Sequence, residues 1–221
     1  MRANEILSDK LFALKPGDRC SKALELMNEW QVSHLPVALN NRVTGYVTSD
    51  EIAFPEEEDD IIEKYIRNEK AIKVGEQIHL LDLVKFFAES SVSCMAVVDE
   101  TDMLKGIVDV KDVLRELNEF FSFSVPGSIL TIEMSSFDYS ISELGRLVES
   151  NDLKITGLHI RHVKGTENRL EIVLKLNRND IRGLLATLSR YNYQVTSETV
   201  NQEDLQHLKD RYDSFIKYLN I

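Results

Sequence analysis

Two short runs hold the side chains best suited to chemistry. Gly45-Tyr46-Val47-Thr48-Ser49-Asp50-Glu51 sets a hydroxyl three residues before a carboxylate, and Gly106-Ile107-Val108-Asp109-Val110-Lys111-Asp112 sets two carboxylates at the same interval. A hydroxyl donates and accepts hydrogen bonds, whereas an ionised carboxylate only accepts. Thr48 is equally suited to cap a helix, and one residue can do both. No catalytic constellation accompanies these runs. His159 and His162 lie in a strand-like stretch at odd spacing, which sends their rings to opposite faces, one half-buried and one exposed, and keeps them from sharing a metal. There is no nucleophile elbow, P-loop or Gly-x-Gly-x-x-Gly. The expectation is a protein that is not an enzyme, with no catalytic residue and no metal site.

The elements that must position these runs repeat. Val32 to Leu39 and Val43 to Thr48 are apolar strands meeting at Asn40-Asn41; Val92 to Val98 and Met103 to Asp109 are their counterparts, meeting across Asp99 to Asp102. A helical face precedes each pair: Cys20, Ala23, Leu24 and Met27, which Asp18 is placed to cap, and then Leu80, Leu81, Val84 and Phe87. Each copy therefore reads strand, helix, two strands, and the start of another helix. Neither copy can bury its apolar face alone, so the two are expected to pack together. The opening residues Ile6, Leu7, Leu11 and Leu14 are expected to pack on the first copy. The acidic run Glu56 to Asp60 reads as a solvated linker between the copies.

At these residues the chain resembles a tandem pair of CBS domains, small ligand-sensing modules. The resemblance implies that the hydroxyl of a Gly-apolar-apolar-Ser/Thr-x-x-Asp run meets a phosphate and its acid a ribose. Copy one keeps the hydroxyl at Thr48 but has Glu51 at the acid position; copy two keeps Asp112 but has Asp109 at the hydroxyl position. Carried over by motif position, the ligand residues are Ser33, His34, Pro36, Thr48 and Glu51 from copy one and Ser93, Cys94, Asp109 and Asp112 from copy two. AMP, ATP or S-adenosylmethionine is the implied regulatory ligand. A charge-assisted hydrogen bond contributes about 1.5–3 kcal/mol, while a carboxylate about 4 Å from a phosphate charge costs on the order of 4 kcal/mol in a partly screened site. Asp109 thus opposes a bare phosphate and leaves a neutral nucleoside, a cationic ligand, a magnesium-bridged nucleotide or no ligand, with Lys111 able to return part of the positive charge.

After Pro126-Gly127 the pattern changes. Strands at Ile129 to Ile132, Leu158 to His162, Leu170 to Leu176 and Tyr193 to Val200 alternate with helical faces at Ile141, Leu144, Val148 and at Ile181, Leu184, Leu185, Leu188. The order strand-helix-strand-strand-helix-strand is ferredoxin-like, and behind a CBS pair it resembles an ACT domain. The combination is similar to acetoin utilisation protein B-like regulatory proteins. The loop Ser135 to Ser140 lacks the glycine that amino-acid-binding ACT domains commonly carry there. The tail, with Leu205, Leu208, Tyr212, Phe215 and Leu219, reads as an amphipathic helix. The fold class is therefore α+β, with two β-α-β-β-α CBS repeats over residues 1–57 and 58–121, an ACT-like βαββαβ domain over 126–200, and a C-terminal helix over 201–221.

The totals bound the rest. A hydrophobic content of 43% and charged content of 29% describe an ordinary globular chain, and no apolar run approaches a membrane span. A net charge of -11 opposes nucleic acid and anionic membranes as partners. Cys20 and Cys94 both sit at apolar-patterned positions, which points to buried thiols in a reducing, cytoplasmic setting. Two functions remain: a homodimeric sensor of a small-molecule effector that signals to a partner subunit or protein, or a ligand-free CBS/ACT scaffold acting through dimerisation and protein contacts.

Overall fold

The computed structural model describes residues 1–55, 60–67, 73–166 and 168–199, with the side chains of 197–199 excepted. Most of the acidic linker, Val200 and the tail helix fall outside the described residues. The chain divides into two compact units, Met1–Asn118 and Glu119–Ile221. No helix among the described residues is long and apolar enough to cross a membrane.

In the first unit, α1 (Cys20–Trp30) leads to the antiparallel strands β1 (His34–Leu39) and β2 (Arg42–Thr48), followed by the short α2 (Ser49–Ile52). The second copy runs β3 (Lys73–Gly75), α3 (Leu80–Glu89), β4 (Cys94–Val98), β5 (Leu104–Asp109) and α4 (Val110–Phe120). The two hairpins share one register. His34 pairs with Thr48 and Val37 with Gly45; Cys94 pairs with Asp109 and Val97 with Gly106; each has a bulge at the next residue. The β1–β2 turn uses Asn40 and Asn41, both at positive φ (50° and 61°), because a two-residue hairpin turn matched to strand twist needs left-handed backbone at both positions. Where copy two has the parallel strand β3 beside β4, copy one has a single parallel bridge, Leu14 to Val37.

Three details depart from the sequence reading. Asp18 does not cap α1: its carboxylate accepts from the Lys15 amide (2.8 Å) and pairs with Lys22 (2.7 Å), and Arg19 holds the cap position without a side-chain capping bond. The opening segment is divided between the copies. Leu11 and Leu14 enter the core of copy one, but Ala3 and Ile6 enter that of copy two, where the Ala3 amide donates to Ile78 O (2.9 Å). The segment between the repeats makes the reciprocal move, Ile62 being buried in copy one with its amide on Asp18 O (2.9 Å). Each copy thus closes its core with chain that precedes the other. Third, His159 and His162 are both exposed, because their strand is the outer edge of its sheet.

The second unit orders its four strands β7-β8-β6-β9, all antiparallel, where β6 is Ile129–Ser135, β7 Ile155–His162, β8 Arg169–Leu176 and β9 Gln194–Thr199. Helices α5 (Ile141–Glu149) and α6 (Arg182–Arg190) pack Leu144, Leu147, Leu184 and Leu188 onto Leu130, Ile132, Ile172 and Leu174. This is the connectivity of a ferredoxin-like sheet. Gly127 sits against the end of β8 so closely that a Cβ there would stand 1.8 Å from Leu176 O.

Candidate functional site

Eight of the nine residues proposed from sequence fall into three groups, and Pro36 stands apart. Ser33, His34, Ser93 and Cys94 meet where the starts of β1 and β4 face each other. The amides of Ser33 and His34 donate to Ser93 Oγ (2.9 and 3.1 Å), the Ser93 amide donates to His34 Nδ1 (3.3 Å), and the Cys94 thiol donates to His34 O (2.9 Å). These groups satisfy one another across the join between the copies. Burial holds the His34 pKa below its usual value against the opposing pull of Asp50 and Glu51, and burial pushes the Cys94 thiol up. Pro36 is buried in β1, and its carbonyl takes the Leu14 amide (2.9 Å).

Thr48 and Glu51 form the second group. Thr48 caps α2 by accepting from the Glu51 amide (3.3 Å), and its hydroxyl donates to Glu51 Oε2 (2.8 Å). The other Glu51 oxygen accepts from Arg67 Nε. Arg67 is held in place by two backbone bonds to Tyr46, 2.8 and 2.9 Å. Hydroxyl, carboxylate and guanidinium therefore already satisfy one another.

The third group differs. Asp109 is 8% exposed and caps α4, its Oδ1 accepting from the Asp112 amide at 2.6 Å. The carboxylate at a helix N-terminus is favoured by the unpaired amides and the helix dipole. Asp112 Oδ1 accepts from Arg115 (2.8 Å), while Asp112 Oδ2 is buried and accepts from no described residue. Both acids line a cleft of about 290 Å³ with Ser8, Trp30, Lys111 and Arg115 among its walls. Lys111 Nζ crosses the cleft to Gln31 Oε1 (3.0 Å). Trp30, the chain's single tryptophan, is braced edge-on by Phe12 with ring centroids 4.7 Å apart. Sequence reasoning missed Ser8, Trp30 and Arg115. The first two come from segments distant from the motif, and Arg115 was legible as the residue one helical turn after Asp112. Among the described residues no three His, Cys, Asp or Glu gather to hold a metal ion.

A duplicated half-module with matched hairpin registers, reciprocal core exchange and a polar cleft at the second motif defines a two-repeat fold. The chain carries tandem CBS domains, the CBS domain family model matching residues 3–54 and 62–119. An inosine-5'-monophosphate dehydrogenase of Korarchaeum cryptofilum is 26% identical over 211 residues, which is 94% of this chain but only 43% of that relative's length. Among solved structures, a CBS domain pair/ACT domain protein from Thermotoga maritima is 19% identical, covering 54% of this chain and 98% of that one with a TM-score of 0.49. The CBS domain of a bacterial CNNM/CorC family Mg2+ transporter in complex with ATP is 22% identical, covering 53% of this chain and 87% of that one with a TM-score of 0.44.

Proposed function

We propose that the chain is a non-catalytic regulatory module that binds a small adenine-containing metabolite in the copy-two cleft and reports its occupancy to a partner subunit or protein. The observation that carries this reading is Asp112 Oδ2, buried with no donor among the described residues, in a cleft that Trp30 helps to line. A buried carboxylate oxygen without a donor costs about 1–3 kcal/mol, a cost that a ligand hydroxyl or cation removes. The cleft, at about 290 Å³, falls just short of the range of ligand pockets, roughly 300 to 1,000 Å³, and so suits a small ligand or part of a larger one. Trp30 brings to the cleft wall an indole, the kind of ring on which a base stacks, and Lys111 and Arg115 offset the charge of Asp109 toward a magnesium-bridged phosphate. AMP, ATP and S-adenosylmethionine remain the ligands of choice. In this reading Asp109 and Asp112 touch ligand, while Ser33, His34, Ser93 and Cys94 pin the two copies together. Binding alters function only through a difference in affinity between two arrangements of the module.

The second unit is assigned an ACT-like role, supported by its element order, in a protein similar to acetoin utilisation protein B-like regulators. The loop Ser135 to Ser140 instead supplies Ser140 as the cap of α5, its hydroxyl accepting from the Glu143 amide (3.3 Å). A homodimer in the cytoplasm is the proposed working state. It is supported by Leu81 and Phe86 on α3 and Leu114 on α4, which stay 45%, 41% and 59% exposed.

The test is titration of the full chain with adenosine, AMP, ATP with magnesium, and S-adenosylmethionine, read by Trp30 fluorescence and calorimetry. Saturable binding that Asp112→Ala weakens at least tenfold supports the reading. Absence of heat and of any fluorescence change with all four probes favours instead a ligand-free scaffold acting through its exposed helix faces.

A further inference from the structure

The two repeats share one hairpin register, and among the differences between their motifs is the residue bonded beside the second strand. In copy one, Arg67 runs antiparallel to β2, its amide donating to Tyr46 O at 2.8 Å, and its guanidinium pairs with Glu51. In copy two the residue bonded to the matched strand position is Ser8, whose amide donates to Ile107 O at 2.8 Å. Tyr46 and Ile107 are equivalent, each following the motif glycine and each paired with the third residue of its hairpin's first strand, Pro36 and Ala96. Glu51 and Asp112 are equivalent too, each the third residue after a helix cap and each bonded to that cap through its amide. Glu51 has a guanidinium; Asp112 Oδ2 is buried with no donor from a described residue. Ser8 and Asp112 line one cleft, which makes position 8 the copy-two counterpart of position 67.

We infer that Arg67 is a resident occupant of the copy-one motif, standing on Glu51 where a ligand's donor group stands on Asp112, so that the chain takes one ligand and takes it in the copy-two cleft. The inference rests on the sensing reading above and adds which cleft is used and what excludes the other. The chemistry also fixes the ligand's end. Asp112 Oδ2 accepts only, so the ligand presents hydroxyls or a cation there, and an unscreened phosphate is turned away by Asp109 and Asp112 together.

Two substitutions exchange the residues: Ser8→Arg supplies copy two with the missing guanidinium, and Arg67→Ser removes it from copy one. The probes are adenosine and ATP with magnesium. Expected for the natural chain is a calorimetric stoichiometry near one. Ser8→Arg raises the melting temperature of the ligand-free protein, because a buried oxygen gains its donor, and lowers probe affinity at least tenfold. Arg67→Ser lowers the melting temperature and raises the stoichiometry toward two. Binding by the natural chain that Ser8→Arg leaves unchanged, or a stoichiometry of two without substitution, overturns this inference and leaves the sensing reading in place. No binding of either probe to the natural chain removes this inference, and if AMP and S-adenosylmethionine also fail to bind, the sensing reading falls with it.

Discussion

The Asp109 carboxylate is asked to do structural work at a position where a relative with the full motif would carry a hydroxyl, and this can be measured. It accepts the Asp112 amide at 2.6 Å at the start of an eleven-residue helix and is 8% exposed. Removing an N-cap acceptor costs about 0.5–2 kcal/mol, and loss of the charge at the helix dipole adds roughly 0.3–1 kcal/mol. Asp109→Ala is therefore expected to lose about 1–2 kcal/mol. Asp109→Ser keeps an acceptor and removes a buried charge, so it should stay within about 0.5 kcal/mol of the parent. With a urea dependence of roughly 2 kcal/mol per molar, the alanine variant shifts the midpoint down by about 0.5–1 M and the serine variant by about 0.25 M or less. Trp30 lies beside α4 in the same cleft and reports the transition by fluorescence. Thr48→Ala in copy one serves as the comparison: its cap bond is longer, 3.3 Å, and serves a four-residue helix, so its shift should be smaller. Equal midpoints for the alanine and serine variants at position 109 would refute the capping account.

Further outcomes are expected. Because burial depresses the His34 pKa, the unfolded chain binds the proton more readily; stability should rise with pH up to about 6.5 and level off above it, and His34→Gln should flatten that slope in melts between about pH 5 and 7. Cys20 and Cys94 are 2% and 0% exposed, so a thiol reagent should find neither in the native protein and both after denaturation. Gly127→Ala should destabilise the second unit by more than about 3 kcal/mol, seen by circular dichroism, because the added carbon cannot coexist with Leu176 O.

The internal duplication was legible because the pattern of apolar residues marks out strands and helices, and Val32 to Thr48 and Val92 to Asp109 carry the same pattern of two apolar runs meeting at a polar turn. The element order of the second unit was legible for the same reason. The helix cap at Asp18 was not, because its carboxylate was drawn to Lys22 and the Lys15 amide, a competition between neighbours that spacing does not rank. Nor was the exchange of segments, in which Ala3 and Ile6 fill copy two while Ile62 fills copy one. Local periodicity says that these residues are buried but not in which core.

The sequence by itself determined the two-copy architecture and the polar residues of each motif, since both are written in short-range patterns of residue type. Only the tertiary structure decided that Thr48 and Arg67 both donate to Glu51 while Asp112 keeps an oxygen without a donor among the described residues. The partners that make this difference, Arg67 and Ser8, come from outside the motifs. Their distance from the acids is set by how the chain folds back, which no spacing along it encodes.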